Sequence, residues 1–139
     1  MTKPDIISID ELLAMPDEQY MNVQQLAFFQ HLLEQQLAHI HDNAAETGKH
    51  LREQQELPDP ADRATQEELH TLELRTRDRE RKLEKKIHAA LQRINDHAYG
   101  YCEESGEPIG LKRLLARPTA TLSIDAQERH ERRERQFSH

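Results

Sequence analysis

The stretch 57-LPDPADRATQEELHTLELRTRDRERKLEKKI-87 decides how the chain folds. Pro58 and Pro60 stand side by side but for Asp59, and a proline stops a helix because it lacks the amide hydrogen and clashes with the preceding turn. Asp59, Asp62 and Thr65 are residues that turns and helix N-caps favour, and Thr65 with Glu68 makes a T-x-x-E capping box. From Thr65 to Asp96 there is neither Gly nor Pro, so a second long helix is predicted there.

Upstream of the prolines, from Asp17 to about Glu56, no Pro occurs and Gly48 is the only Gly. Apolar residues recur at Val23, Leu26, Phe29, Leu33, Leu37, Ile40, Ala44 and Leu51, and the early steps alternate between three and four as in a coiled-coil seam. At about 1.5 Å per residue, a helix of roughly forty residues would reach about 60 Å, longer than a small globule can use. Two such helices joined by a short turn fold back on each other. The expected fold is mainly α: a long antiparallel coiled-coil hairpin over 23–96 with its tip at 57–64. Residues 1–22, containing a short amphipathic helix opened by Ser8 or Asp10, belong to a small globular base.

In the second helix Leu69, Leu72 and Leu74 are expected to serve the seam near the tip, and Leu83, Ile87, Ala90, Leu91 and Ile94 near the base. Between Leu74 and Leu83 every residue is polar or charged. That run is either a solvated face laced by ion pairs or a docking surface for an acidic partner.

Composition fits long solvated helices rather than a large core: 35% hydrophobic, 32% charged and no Trp. The net charge of −7 is uneven, since residues 75–93 carry eight basic and three acidic side chains within an otherwise acidic chain. This asymmetry suits a charged partner surface and argues against direct sequence-specific DNA binding. The single cysteine excludes an internal disulfide and suits a reducing compartment. The N-terminus has no apolar run of the length of a signal peptide or membrane span, so a soluble cytoplasmic protein is expected. No phosphate-cradling glycine loop, nucleophile–base pattern or H-E-x-x-H occurs, so no enzyme is expected. The nine histidines are scattered and read as surface residues.

After the hairpin comes 99-YGYCEESGEPIG-110, half of a zinc knuckle in form: Cys102, two residues, then a turn, but with Ser105 where the second ligand would stand. Zinc in a closed structural site takes four good ligands. With no other cysteine, residues 97–122 read as a degenerate zinc-ribbon-like knuckle, and 123–139 as a C-terminal helix. The turns are expected to be held by Tyr99, Tyr101, Ile109, Leu111, Leu114 and Leu122 and by the hydroxyls of Ser105 and Ser123, with Cys102 as a small buried hydrophobe.

The D-x-x-D-x-A tip of Asp59, Asp62 and Ala64, the R-x-R-D-R-E-R-K-L segment and the G-L-x-R-L-x-A-R-P-T segment together resemble the DksA family of bacterial RNA polymerase-binding transcription factors. The resemblance implies a hairpin that enters the secondary channel of RNA polymerase and places the tip near the active site. It implies destabilised promoter open complexes and joint action with ppGpp, repressing ribosomal RNA promoters and activating some biosynthetic ones. On this likeness Arg79, Leu83 and Lys86 contact polymerase, and Lys86 and Arg117 contact ppGpp. A third family cation is replaced by Gln127, and an asparagine by Thr76. The four family zinc ligands fall at Cys102, Ser105, Ser123 and Ala126, so a zinc-independent, monomeric member is expected, with no metal and ppGpp as co-effector. The alternative reading is a secondary-channel transcript-cleavage or anti-backtracking factor, which also uses an acidic-tipped hairpin.

Overall fold

The computed structural model describes residues 5–53 and 60–137. Along them run α1 (Ile9–Ala14), α2 (Val23–Glu53), α3 (Pro60–Asn95), α4 (Leu111–Ala116) and α5 (Ile124–Phe137), with a 3-10 turn at Asp17–Gln19. The described residues contain no strand, only an isolated antiparallel bridge between Tyr101 and Pro108. The expected mainly α architecture, with two long helices forming a hairpin, is what is found. No helix among the described residues is long and apolar enough to cross a membrane.

α3 begins earlier than the T-x-x-E box predicts. Pro60 takes its first position, where the fixed φ suits a helix and the missing N–H has no intrahelical partner to lose. Thr65 therefore lies inside the helix instead of capping it. α1, by contrast, starts as expected: the Ser8 hydroxyl accepts the Glu11 amide at 3.1 Å.

The chain divides into two compact units, Met1–Leu33 with Ala89–His139, here the base, and Glu34–His88, here the shaft. In the base, Leu12, Phe29, Leu33, Ala90, Tyr99, Leu114 and Ala126 are fully enclosed. Phe29 meets Phe28 edge-on at 5.3 Å and Tyr99 at 5.6 Å. Val23, assigned to the seam from its spacing, is instead 83% exposed. It is the first residue of α2, ahead of the turn that buries Gln25, Phe28 and Phe29.

α3 ends with a pair of bonds that reuse its last carbonyls: the Ala98 amide reaches Arg93 O at 2.8 Å and the His97 amide reaches Ile94 O at 3.2 Å. This is a Schellman termination, and it sets His97 at φ 60°. Three residues on, Gly100 sits at φ 91°, and a Cβ there would come within 2.9 Å of Met21 Sδ. Only glycine meets both demands.

In the shaft, Ile40 and Ile87 are buried. Toward the tip the interior turns polar. α2 half-buries Asn43, Ala44, Thr47 and Gly48, and α3 half-buries Gln66, Glu73, Arg77, Glu80 and Glu84. The leucines expected in the seam are outside it: Leu69 is 45%, Leu72 55% and Leu74 44% exposed. The physical reason is register. Stepping back from Ile87 by threes and fours reaches Glu84, Glu80, Arg77 and Glu73, and the helix cannot bury a second face at once. Small residues on α2 leave room for the long stems of these charged side chains. Glu73 Oε2, Arg77 Nε and Glu80 Oε2 are enclosed with no hydrogen-bonding partner among the described residues.

Candidate partner-binding site: shaft, tip and knuckle

At the tip, Asp62 lies in the first turn of α3, where a carboxylate faces the positive end of the helix dipole. Asp62 and Ala64 are both exposed, as a contact residue must be. Asp59 lies outside the described residues. Along the shaft, Arg79 and Lys86 are exposed and Leu83 is 38% exposed. These three recur at intervals of four and three, so they share one side of α3. Thr76 bonds its hydroxyl to the Leu72 carbonyl at 3.0 Å and also accepts from Arg79 Nη2 at 3.4 Å. Thr76 thus engages the Arg79 guanidinium, a contact the sequence did not disclose.

Lys86 belongs to the shaft unit and Arg117 to the base unit. Arg117 is the exposed C-cap of α4, and its amide bonds to Arg113 O at 2.7 Å. Gln127 donates its side-chain amide to Glu131 Oε1 at 3.2 Å.

The knuckle is built of backbone bonds. The Cys102 amide reaches Glu107 O at 2.8 Å, the Gly106 amide returns to Cys102 O at 2.9 Å, and the Ile109 amide reaches Gly100 O at 2.8 Å. A further bond, the Glu103 amide to Thr121 O at 2.9 Å, ties this turn to the segment before α5. Tyr99 seals the base by donating its hydroxyl to the Pro118 carbonyl at 2.7 Å, and burial raises its pKa. Tyr20 braces the knuckle from the other side, donating to Gly100 O at 2.6 Å and accepting from the Gly110 amide at 3.0 Å. Of the side chains expected to hold the knuckle, Tyr99, Ile109 and Leu114 are buried, whereas Tyr101 is exposed and stacks edge-on with Tyr20.

Zinc does not fit the four ligand positions. The Ser105 hydroxyl accepts the Glu107 amide at 3.3 Å, and the Ser123 hydroxyl accepts the Ala126 amide at 3.3 Å, opening α5. Ala126 presents a fully buried methyl, which has no lone pair to offer. Only Cys102 could ligate as a thiolate, and no metal-holding cluster of three or more His, Cys, Asp or Glu side chains exists among the described residues. Cys102 is buried, as expected of a small hydrophobe, yet its thiol pKa falls to about 6. The Ser105 hydroxyl is the main cause, opposed by burial and helped by hydrogen bonds from the Ser123, Ser105 and Glu104 backbone. Hydrogen-bonding groups of the turn thus surround Cys102 and favour its thiolate.

The packing of the C-terminal helix was not legible in the sequence. Glu104 binds His130 Nε2 at 2.5 Å and stands 3.8 Å from Arg129, and Arg113 Nε donates to Leu122 O at 2.9 Å. Charged residues that read as a solvated face thus fasten α5 to the knuckle turn.

A two-helix shaft in the same chain as a knuckle of zinc-finger form defines a class of helical-hairpin protein. Residues 25–94 match the family model described as the DnaK suppressor protein DksA, N-terminal domain, and residues 97–132 match that of the prokaryotic dksA/traR C4-type zinc finger. The chain is 57% identical to the RNA polymerase-binding transcription factor DksA of Caulobacter vibrioides, over 86% of this chain and 84% of that protein. It is 46% identical to the protein of that name from Escherichia coli K12, over 96% of this chain and 89% of the other. The structure of transcription factor DksA2 from Pseudomonas aeruginosa superimposes with a TM-score of 0.83 at 47% identity, covering 92% of this chain and 99% of that one. The chain belongs to the DksA family.

Proposed function

We propose that this protein binds bacterial RNA polymerase directly and regulates transcription initiation in the cytoplasm, acting as a regulator and not as an enzyme. The observation that carries the reading is the near full-length likeness to relatives named as RNA polymerase-binding transcription factors. In this reading the hairpin enters the secondary channel as a monomer, and Asp59, Asp62 and Ala64 at its tip approach the active site. Arg79, Leu83 and Lys86 hold polymerase. Lys86 and Arg117 supply charge-assisted hydrogen bonds to ppGpp, with Gln127 leaving that site one cation weaker. Open complexes are destabilised, so ribosomal RNA promoters are repressed and some biosynthetic promoters gain. The protein does all this without zinc, a reading supported by the hydroxyls and methyl at three of the four ligand positions.

The test is the lifetime of an open complex on a ribosomal RNA promoter, in buffer without added zinc. Native protein should shorten it, ppGpp should enhance the effect, and Asp59→Asn/Asp62→Asn should restore the lifetime. An unchanged lifetime together with shortening of backtracked RNA would replace this reading with that of a transcript-cleavage factor.

A further inference from the structure

Leu13, Met15, Leu111 and Ile124 wall a groove of about 600 Å³ that lies wholly in the base. Its size falls within the range of about 300–1,000 Å³ usual for small-ligand sites. Leu13 is 43% and Ile124 55% exposed, so apolar wall faces water in the free protein. Covering it would be favourable.

Beside these walls stands a buried amide with an unmet donor. Gln25 lines the same groove and is 1% exposed. Its Oε1 accepts the Met21 amide at 2.8 Å, which fixes Nε2 as the other end of the group. Among the described residues Nε2 reaches no oxygen, only Met15 Sδ at 3.4 Å, and Asn22 Nδ2 approaches the same sulfur at 3.6 Å. A thioether is a weak acceptor and an amide nitrogen carries two hydrogens, so at least one donor is left without a good partner. A buried donor in that state calls for an acceptor.

The charges favour an anion. Among the described residues the lining holds two cations, Lys112 and Arg113, and one carboxylate, Asp17. Lys112 is exposed, and among the described residues neither cation stands within ion-pairing distance of a carboxylate. Arg113 donates Nε to Leu122 O at 2.9 Å, which holds its guanidinium in place.

We propose that this groove binds a small carboxylate with an apolar tail, of the medium-chain fatty acid class. The tail covers Leu13, Leu111 and Ile124, a carboxylate oxygen accepts from Gln25 Nε2, and Lys112 and Arg113 supply the opposite charge. Met15 is unbranched and flexible, so its sulfur gives way to the incoming oxygen. A neutral hydrocarbon would leave the amide and both cations unanswered, and a polyphosphate would leave the apolar walls uncovered. The depth of Gln25 suits the slender end of a small molecule and not a folded surface. The site goes beyond the polymerase reading and does not rest on it.

The experiment is an NMR titration of isotope-labelled full-length protein with octanoate and, separately, with octanamide, which has the same length and no charge. Octanoate should shift the Gly110 and Leu111 amide signals and the Gln25 side-chain amide along one saturable curve, and octanamide should bind several-fold more weakly. Lys112→Gln should weaken octanoate about fivefold, the effect of one exposed charge at contact in water, and leave octanamide unchanged. Leu13→Gln/Ile124→Gln should weaken both ligands about tenfold without lowering the melting temperature, because both side chains face solvent in the free protein. Equal affinity for octanoate and octanamide overturns the proposal, since the cations then select nothing. Shifts that fail to saturate, or that spread to Phe137 and Leu72, mark unspecific contact and also overturn it. No response of the groove at millimolar octanoate overturns it outright. If Leu13→Gln/Ile124→Gln then binds core RNA polymerase more weakly than the native protein does, the groove is a protein contact, and the polymerase reading stands.

Discussion

His41 Nε2 on α2 stands 3.0 Å from Glu84 Oε1 on α3, and His88, one turn further along α3, stands 3.7 Å from the same oxygen. This is a polar tie between the two helices of the shaft, next to the buried Ile40 and Ile87. The hydrogen bond from His41 is the main cause that holds the Glu84 carboxyl below its ordinary pKa of 4.5, with the charges of both imidazoles adding to it.

The sign of the resulting pH dependence follows from that depression. A carboxyl with a lowered folded-state pKa stabilises the fold fully above its unfolded value, and the contribution disappears as pH falls through the lowered one. Glu84→Gln should therefore melt below the native protein in mildly acidic buffer, and the gap should close as the pH drops below the ordinary carboxyl range. Melts of both proteins from about pH 7 to about pH 3 check this. A gap of constant size over that range would show that Glu84 acts by packing and not by charge.

The polar interior of the distal shaft gives a second expectation. Glu73 Oε2, Arg77 Nε and Glu80 Oε2 are enclosed without hydrogen-bonding partners among the described residues, and replacing enclosed charge with apolar side chains of similar size is often neutral or stabilising. Glu73→Leu/Arg77→Leu should raise hairpin stability by about 1 kcal/mol or more, seen as a higher urea midpoint at unchanged slope. A lower midpoint would mean that these groups find partners, such as ordered water, that offset their enclosure.

That same region shows where sequence reasoning worked and where it failed. The two long helices were legible because Pro58 and Pro60 punctuate the chain between them and the seam at Phe29, Leu33, Ile40 and Ile87 is apolar; the turn that joins them lies outside the described residues. Near the tip the rule that apolar residues go inside misled, because Leu69, Leu72 and Leu74 do not lie in the register that Ile87 sets. A heptad carried backward from the base would have found Glu80, Arg77 and Glu73 on the inner side. That the chain offers a single thiolate was legible from composition alone. The ties of Glu104 to Arg129 and His130 were not, because they join residues far apart in sequence and no local pattern marks them.

In the base, Tyr99 carries both an aromatic contact and a buried hydrogen bond to Pro118. Tyr99→Phe keeps the ring against Phe29 but leaves the Pro118 carbonyl without this donor, which should cost about 1–2 kcal/mol. Tyr99→Ala should cost about 3–5 kcal/mol, because a cavity is added to the lost bond. Denaturant melts of the pair separate the two contributions. Equal losses would place the whole effect in the hydroxyl.

The knuckle offers a test by reversal. With serine hydroxyls engaged at 105 and 123 and a buried methyl at 126, the turns are closed by backbone bonds and by Tyr20 and Tyr99, which supports the proposed independence from zinc. The melting temperature of the native protein should therefore be the same with and without a strong chelator. Ser105→Cys/Ser123→Cys/Ala126→Cys gives four thiols at the proposed ligand positions, with a Cys102 whose surrounding hydrogen bonds already favour a thiolate. That variant should bind zinc tightly, and its stability should then fall when chelator is added, because metal binding free energy becomes part of folding free energy. Zinc retained by the native protein through chelation would sink the zinc-free reading. A four-cysteine variant that folds but takes up no zinc would show that the backbone has drifted from ligand geometry as well as the side chains.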